Sequence, residues 1–428
     1  MNRHPPEKDW LRLDNAAKIY PPTTTEQSPS VFRLSVTMAR PVKPWALTNA
    51  LESVMRRCPY FQVFLRRGFF WYYLQRHNEI PRVQLLDPVD IPIFPVADKT
   101  AHLLRVSARE STIAVDYSHI LTDGNGGVRF LITLVAEYLR ACGIEPGQKQ
   151  GILDPKEKPS VEEYEDAFKK VFQRGMPRPE NLPPAYHVPG KPSPHQRFRR
   201  ITGRMPVDKA LDRSRLNGVS LTEYLTALYM VCLSEIYQDE VNDGKKPKRS
   251  IIRIEVPVNM RQFCPSKTMR NFSLYAAPEI DMKLGVYGFD EIVARVHHGM
   301  QMQITRKELG RQISRNVGAE LNPTIRVLPL FIKDRFLSWL YARLGENLYT
   351  GVLSNLGRMD VPEEMAPHVK SFHLVLNPNH VMKKSCTVIS YQNDLAVTFC
   401  SVVESRRLER RFFTKLAGNG IPVTVAEV

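Results

Sequence analysis

Apolar residues recur along this chain at two spacings, every second position and every third or fourth, and the switches between them outline its elements. From 31 to 38, Phe32, Leu34, Val36 and Met38 alternate with other residues, which predicts a strand. The next segment, 46–57, carries Leu47, Leu51, Val54 and Met55 at helical spacing and stops before Pro59. The aromatic run 69–73 and the segments 83–86, 103–107 and 111–118 read as further strands, and a long helix is expected over 125–141. Proline, 33 residues in all, is densest between 155 and 194, a stretch that punctuates rather than builds. One helix is expected within it: Ser160 and Glu163 have capping-box spacing, and Tyr164, Phe168 and Phe172 follow on one face.

The second half repeats the mixture. Strands are expected near 198–205, 251–256, 274–280, 372–376, 387–391 and 396–402, and helices near 221–237, 289–305, 334–343 and 408–417. Strands and helices without strict strand–helix–strand alternation predict an α+β architecture of two lobes, each a mixed β-sheet with flanking helices. The proline-rich crossover places the lobes at 1–195 and 196–428. No short repeat is visible.

Composition narrows the class. Hydrophobic residues make up 43% of 428, enough for a sizeable core, and no uninterrupted apolar run approaches the ~18 residues of a membrane-spanning helix. The opening Met1-Asn2-Arg3-His4-Pro5-Pro6 lacks a charged-then-apolar signal pattern. Six scattered cysteines in apolar surroundings suit reduced thiols, so a cytoplasmic protein is expected. With 60 basic and 44 acidic residues the formal charge is +16, and a partner drawn by long-range fields is an anion. The basic groups at Arg197/Arg199/Arg200, Lys245/Lys246/Lys248/Arg249, Lys383/Lys384 and Arg406/Arg407/Arg410/Arg411 lack the interleaved aromatics of a single-strand reader, which argues against nucleic acid.

The sharpest punctuation is Ser118-His119-Ile120-Leu121-Thr122-Asp123-Gly124-Asn125-Gly126-Gly127, where a strand delivers His119, a short turn follows and Asp123-Gly124 opens a helix. Three plain readings compete. Asp123 suits a helix N-cap with Gly124 serving the turn; His119 suits a satisfied core histidine; and the glycines suit a phosphate cradle, although they match neither Gly-x-Gly-x-x-Gly nor a P-loop. His297-His298, His373 and His380 lack metal-ligand spacing, so no metal is expected.

His-x-x-x-Asp-Gly between a strand and a helix resembles the CoA-dependent acyltransferase superfamily, which includes chloramphenicol acetyltransferase (CAT) and the condensation domains. Further segments carry the resemblance across the chain in order: Leu13-Asp14-Asn15-Ala16-Ala17-Lys18-Ile19-Tyr20-Pro21, Arg57-Cys58-Pro59-Tyr60-Phe61, Val219 to Leu225, Pro257-Val258-Asn259-Met260-Arg261, Arg270-Asn271-Phe272 and Ser354-Asn355-Leu356-Gly357. They look most like the alcohol acetyltransferase branch. Ser118 stands where condensation domains usually carry a second histidine, and the Asp-Phe-Gly-Trp-Gly run of the plant branch is absent.

The resemblance implies two CAT-like lobes with a tunnel between them, acyl-CoA, most simply acetyl-CoA, as donor, and a small-molecule alcohol as acceptor. It makes His119 the general base and pairs Asp123 with Arg261 across the lobes, with Gly124 allowing the turn that aims His119 inward. Ser354 and Asn355 become candidate oxyanion donors or tunnel-lining groups, against the plain reading of a polar turn before Gly357. Rival expectations are an acyl donor held on a carrier protein, an amine acceptor, and a CAT-like binding or scaffold protein without catalysis.

Overall fold

The alternating segment Val31–Met38 lies in a five-stranded sheet ordered Val369–Leu376, Val31–Met38, Thr112–Ser118, Leu104–Arg109 and Gln84–Leu85. This is seen in a computed structural model that describes residues 9–427 except 27, 89, 90, 97, 99, 149, 150 and 194–197. The opening hexapeptide, the expected lobe boundary at 195/196 and Arg197 lie outside the described residues. Alternation implies one wet face, yet both faces of Val31–Met38 are covered: Arg33 and Asp116 are buried, with Arg33 Nε 2.7 Å from Asp116 Oδ1 and Arg105 Nε 3.1 Å from Oδ2. Phe32, Leu34 and Val36 join the core beneath the helices Pro44–Arg57 and Gly124–Ala141.

The second sheet runs Ser273–Ala276, Ile251–Asn259, Gly351–Met359, Lys384–Tyr391, Asp394–Ser401, Arg199–Pro206 and Thr424–Glu427, with Glu279–Asp281 pairing on Ile251–Asn259 as an eighth strand. Gly351–Met359 is parallel to both its neighbours, and the other pairs are antiparallel. Helix Leu221–Asn242 packs on this sheet, with Tyr224, Leu228 and Cys232 in the second core. Together these are mixed sheets with flanking helices, the expected α+β class.

Several elements depart from expectation. The strand near 372–376, counted with the C-terminal side, is the edge of the first sheet: Val369–Leu376 pairs antiparallel with Val31–Met38. Its other side is held by hydroxyls of the second sheet, Thr387 Oγ1 donating to the Leu374 carbonyl and Ser385 Oγ to that of Leu376, each at 2.6 Å. The aromatic run 69–73 is mainly a turn. It joins Val63–Arg67 to Tyr72–Arg76 in a three-stranded sheet with Trp10–Arg12, and Phe69 and Phe70 are exposed at its tip. The single strand expected over 274–280 is two, Ser273–Ala276 and Glu279–Asp281, broken at Pro278, which has no N–H for the ladder. Helices Val207–Leu216 and Arg306–Leu321 escape the sequence reading because few apolar positions mark them; the latter buries only Leu309, Ile313 and Val317. Among the described residues no single helix is long and apolar enough to cross a membrane.

The helix expected after Ser160 is instead two short pieces, the 3-10 turn Val161–Tyr164 and Ala167–Lys170. Glu163 accepts from the Ser160 N–H at 2.9 Å, as capping-box spacing predicts, but Arg57 claims the same carboxylate with both terminal nitrogens (2.7 and 3.0 Å), and Tyr60 donates to it at 2.8 Å. Burial would raise the Glu163 pKa, and the Arg57 hydrogen bonds hold it below the usual value. This segment also carries the far lobe: Met269 N donates to the Glu163 carbonyl and Thr268 Oγ1 to that of Glu165. Replacing Arg57 by Met removes the cation hydrogen-bonded to this buried carboxylate, so urea unfolding should show a loss of roughly 3–5 kcal/mol. A loss below about 1 kcal/mol would mean that the segment is held without the pair.

Candidate active site

His119 follows directly on strand Thr112–Ser118, and its backbone is gripped from two directions. Its N–H donates to the Ser30 carbonyl at 3.0 Å, and its carbonyl accepts from Asn271 Nδ2 at 2.9 Å. The same Asn271 nitrogen donates to Asp14 Oδ2 at 3.1 Å. The imidazole packs on Tyr20, with centroids 5.3 Å apart and planes 22° from parallel, and on Phe32 at 4.8 Å. Burial pulls its pKa down to about 4; the Asp123 charge and a hydrogen bond to the Thr122 backbone oppose this only in part. Neutral at pH 7, one ring nitrogen bonded to Thr122 and the other able to accept a proton, the ring suits a base. Part of the residue's surface stays accessible, as does part of Tyr20 and Glu255.

Asp123 caps helix Gly124–Ala141: Oδ1 accepts from Gly126 N at 3.0 Å. Oδ2 faces the other lobe, accepting from Arg261 Nη1 and Phe272 N at 2.8 Å each and from Ser273 Oγ at 3.0 Å. Burial would raise this carboxyl, but Arg261 holds it below the ordinary carboxylate range. Cap and inter-lobe anchor are thus one residue. Arg261 is fixed in turn by the Thr268 and Arg270 carbonyls, at 3.0 and 2.6 Å from Nη2. Beside it Asn259 Nδ2 donates to Asn125 Oδ1 at 3.1 Å.

Turn freedom is not what Gly124 supplies, since its φ lies outside the left-handed region. A Cβ there would come within 2.7 Å of Leu356 Cδ2, on strand Gly351–Met359, so the residue serves close approach of that strand. Gly126 is under the tighter constraint: a Cβ would strike Thr122 Oγ1 and approach the Met269 carbonyl oxygen to 2.5 Å. Thr122 Oγ1 donates to that carbonyl at 2.6 Å, another bond between the lobes.

Ser354 and Asn355 lie on the same strand as Leu356. Asn355 is committed locally, its Nδ2 donating to Thr222 Oγ1 at 2.9 Å and its Oδ1 accepting from Gly357 N at 2.8 Å, with Gly357 at φ +75°. Ser354 is half-buried, and its hydroxyl has no hydrogen-bond partner among the described residues. Elsewhere, His297 Nδ1 lies 3.1 Å from Glu223 Oε1 and His373 Nε2 2.8 Å from Arg204 Nη2. No group of three or more His, Cys, Asp or Glu converges among the described residues.

No family model and no curated protein matches the sequence. Solved structures do match its fold. Polyketide synthase associated protein 5 from Mycobacterium tuberculosis superposes with TM-score 0.60 at 14% identity, over 97% of this chain and 98% of that one. The starter condensation domain of rhizomide synthetase RzmA, in complex with C8-CoA, gives 0.59 at 13%, over 95% and 93%. TRI3 trichothecene 15-O-acetyltransferase from Fusarium sporotrichioides gives 0.58 at 9%, over 98% and 99%. The chain shares the CAT-like fold of these condensation-domain and acetyltransferase structures.

Within this fold the structure adds residues that the motif does not name. Tyr20 and Phe32 enclose the imidazole, and Asn271 with Asp14 sets its backbone. Those segments, 13–21 and 270–272, are visible in the sequence only as resemblances, with no role for the single residues. Glu255, on strand Ile251–Asn259, gives no sequence signal. Among the described residues its carboxyl makes no hydrogen bond or ion pair, and burial together with the Glu346 charge raises its pKa to about 7.

Asn at position 123 would keep the Gly126 cap but turn an NH2 group towards the Arg261, Phe272 and Ser273 donors. Asp123→Asn should therefore lower both melting temperature and turnover, unlike a simple cap, which Asn replaces well. A double-mutant cycle with Arg261→Ala should show coupling above about 1 kcal/mol; additive single effects would mean that the two charges do not support one another.

Proposed function

We propose that this protein transfers an acyl group from acyl-CoA, most simply acetyl-CoA, to the hydroxyl of a small-molecule alcohol, with His119 as general base. The observation that carries the reading is a half-buried imidazole whose backbone is gripped by Ser30 and, from the far lobe, by Asn271, beside an aspartate whose Oδ2 ties the lobes together through Arg261. A neighbouring structure holding C8-CoA and another described as a 15-O-acetyltransferase support a thioester donor and a hydroxyl acceptor.

In this reading His119 takes the acceptor's hydroxyl proton as the oxygen attacks the thioester carbonyl carbon, giving a tetrahedral intermediate whose negative charge rests on the former carbonyl oxygen. Collapse breaks the carbon–sulfur bond, and the imidazolium returns its proton to the departing thiolate. No net proton or electron is consumed. Ser354 is the better oxyanion donor of the expected pair, because Asn355 already spends both ends of its amide. Asp123 acts by position, holding the His119 turn against Arg261.

Carrier-bound donors remain the second reading, since condensation domains share the fold. The two differ in salt dependence: a carrier protein steered by basic surface loses rate steeply as ionic strength rises, and a small thioester loses less. Acetyl-CoA should turn over with weak salt dependence; saturable turnover with an acetylated carrier and none with CoA would overturn the donor assignment.

His119→Ala should cut turnover by about 10²–10⁴-fold in a protein that still folds. A folded His119→Ala protein with near wild-type rate would end the assignment. Because burial holds this imidazole near 4, activity should not decline through the ordinary histidine range around 6.5 but only further into acid. The sign for stability is the same: the folded pKa is depressed, so the neutral ring's contribution is whole above about 6.5 and is lost as pH falls towards 4. An acid limb near pH 7 that vanishes in Glu255→Gln would belong to Glu255 instead.

A further inference from the structure

Helix Leu330–Leu344 turns an unusual face outward. Phe331, Ile332, Phe336 and Trp339 are 40–59% exposed at helical spacing, with Arg335 among them, around a shallow groove of about 420 Å³. The hairpin tip continues this surface, because Leu330 N donates to the Phe69 carbonyl at 2.8 Å and Lys333 Nζ to that of Phe70 at 2.9 Å, which sets the exposed Phe69 and Phe70 rings beside the helix. Exposed apolar patches of this kind on a folded chain mark a docking site for another phase or partner.

Charge selects the occupant. Arg326, Arg335 and Arg67 rim the patch in exposed positions. The one carboxylate between 322 and 344, Asp334, lies 3.4 Å from Arg67 and accepts from the Tyr72 hydroxyl at 2.9 Å. Aromatic and aliphatic side chains on one helix face, with arginines at their margin, fit the interface of a negatively charged bilayer, where rings enter the headgroup boundary and guanidinium groups meet lipid phosphates.

We propose that this face docks the protein peripherally on an anionic lipid surface. The inner side of the same helix meets the turn that encloses His119: Ser338 Oγ donates to the Pro22 carbonyl at 2.6 Å, and Tyr20 of that turn stacks on the imidazole. Docking thus engages the outer face of a helix whose inner side packs on the His119 turn. Docking itself stands apart from the acyl-transfer reading, because it is measured as binding and needs no turnover.

The test is cosedimentation of the full chain with phosphatidylglycerol/phosphatidylcholine vesicles and with pure phosphatidylcholine vesicles, at low and high salt. The expected result is binding to the anionic vesicles that weakens with salt, falls roughly tenfold in Phe331→Ser/Phe336→Ser, and falls in Arg335→Glu, with unchanged melting temperature in both variants. Wild-type protein that stays in the supernatant with anionic vesicles at low salt overturns the proposal, as does undiminished binding by the folded double variant. A concentration-dependent dimer, or a complex with an acidic carrier protein, that is lost in the double variant while vesicles are ignored would likewise overturn it and assign the face to a protein partner.

Discussion

One carboxylate joins the two lobes and sets the turn that carries the histidine. Asp123 receives the Gly126 amide from the first turn of helix Gly124–Ala141 on one oxygen, and on the other an arginine, a backbone amide and a hydroxyl from the far lobe. A buried carboxylate is tolerated only when its lone pairs are filled and its charge is met, so neither lobe can move without leaving a costly unpaired ion. The packing follows from that constraint. Gly126 leaves room for the Met269 carbonyl to approach, Thr122 bonds that carbonyl, and Leu356 closes over Gly124.

His119 draws its properties from the same junction. Enclosure by Tyr20 and Phe32 removes water and disfavours the charged ring, leaving an uncharged acceptor; Asp123 is close enough to soften that shift and does not reverse it. The surroundings of this ring contrast with the protein as a whole. A chain of formal charge +16 keeps Glu255 and Glu346 half-buried, and the Glu346 charge adds to burial in raising the Glu255 carboxyl. Net charge therefore describes how the outer surface meets its surroundings and says little about the interior that a substrate would meet.

Local pattern alone determined a good deal: strand Val31–Met38, the helices ending at Arg57 and Ala141, a long helix beginning at Leu221 and strands near 387–391 and 396–402 all follow from spacing, caps and β-branched runs. Where the pattern misled, a tertiary contact had outbid it. Arg57 takes the carboxylate of Glu163 where the single expected helix is instead a 3-10 turn and a short helix, and the aromatic run 69–73 spends its rings at a hairpin tip against Leu330–Leu344. Val369–Leu376 reads as a strand but carries no mark of its partner, because pairing depends on which edge is open when the lobes meet.

The candidate site divides in the same way. The chain by itself determined that His119 sits at a strand end and Asp123 at a helix start, since both are written in neighbours a few residues away. Resemblance to known acyltransferases was needed to name Arg261 as the partner of Asp123, because 138 residues separate them and no spacing rule spans that distance. Only the tertiary structure decided that Gly124 answers to Leu356 rather than to a turn, that Asn355 is spent on Thr222 and Gly357, and that Asn271 holds the His119 carbonyl. The physical reason is common to all three: hydrogen bonds and close packing are short-ranged, and the atoms that meet here come from segments that only the folded chain brings within reach of one another.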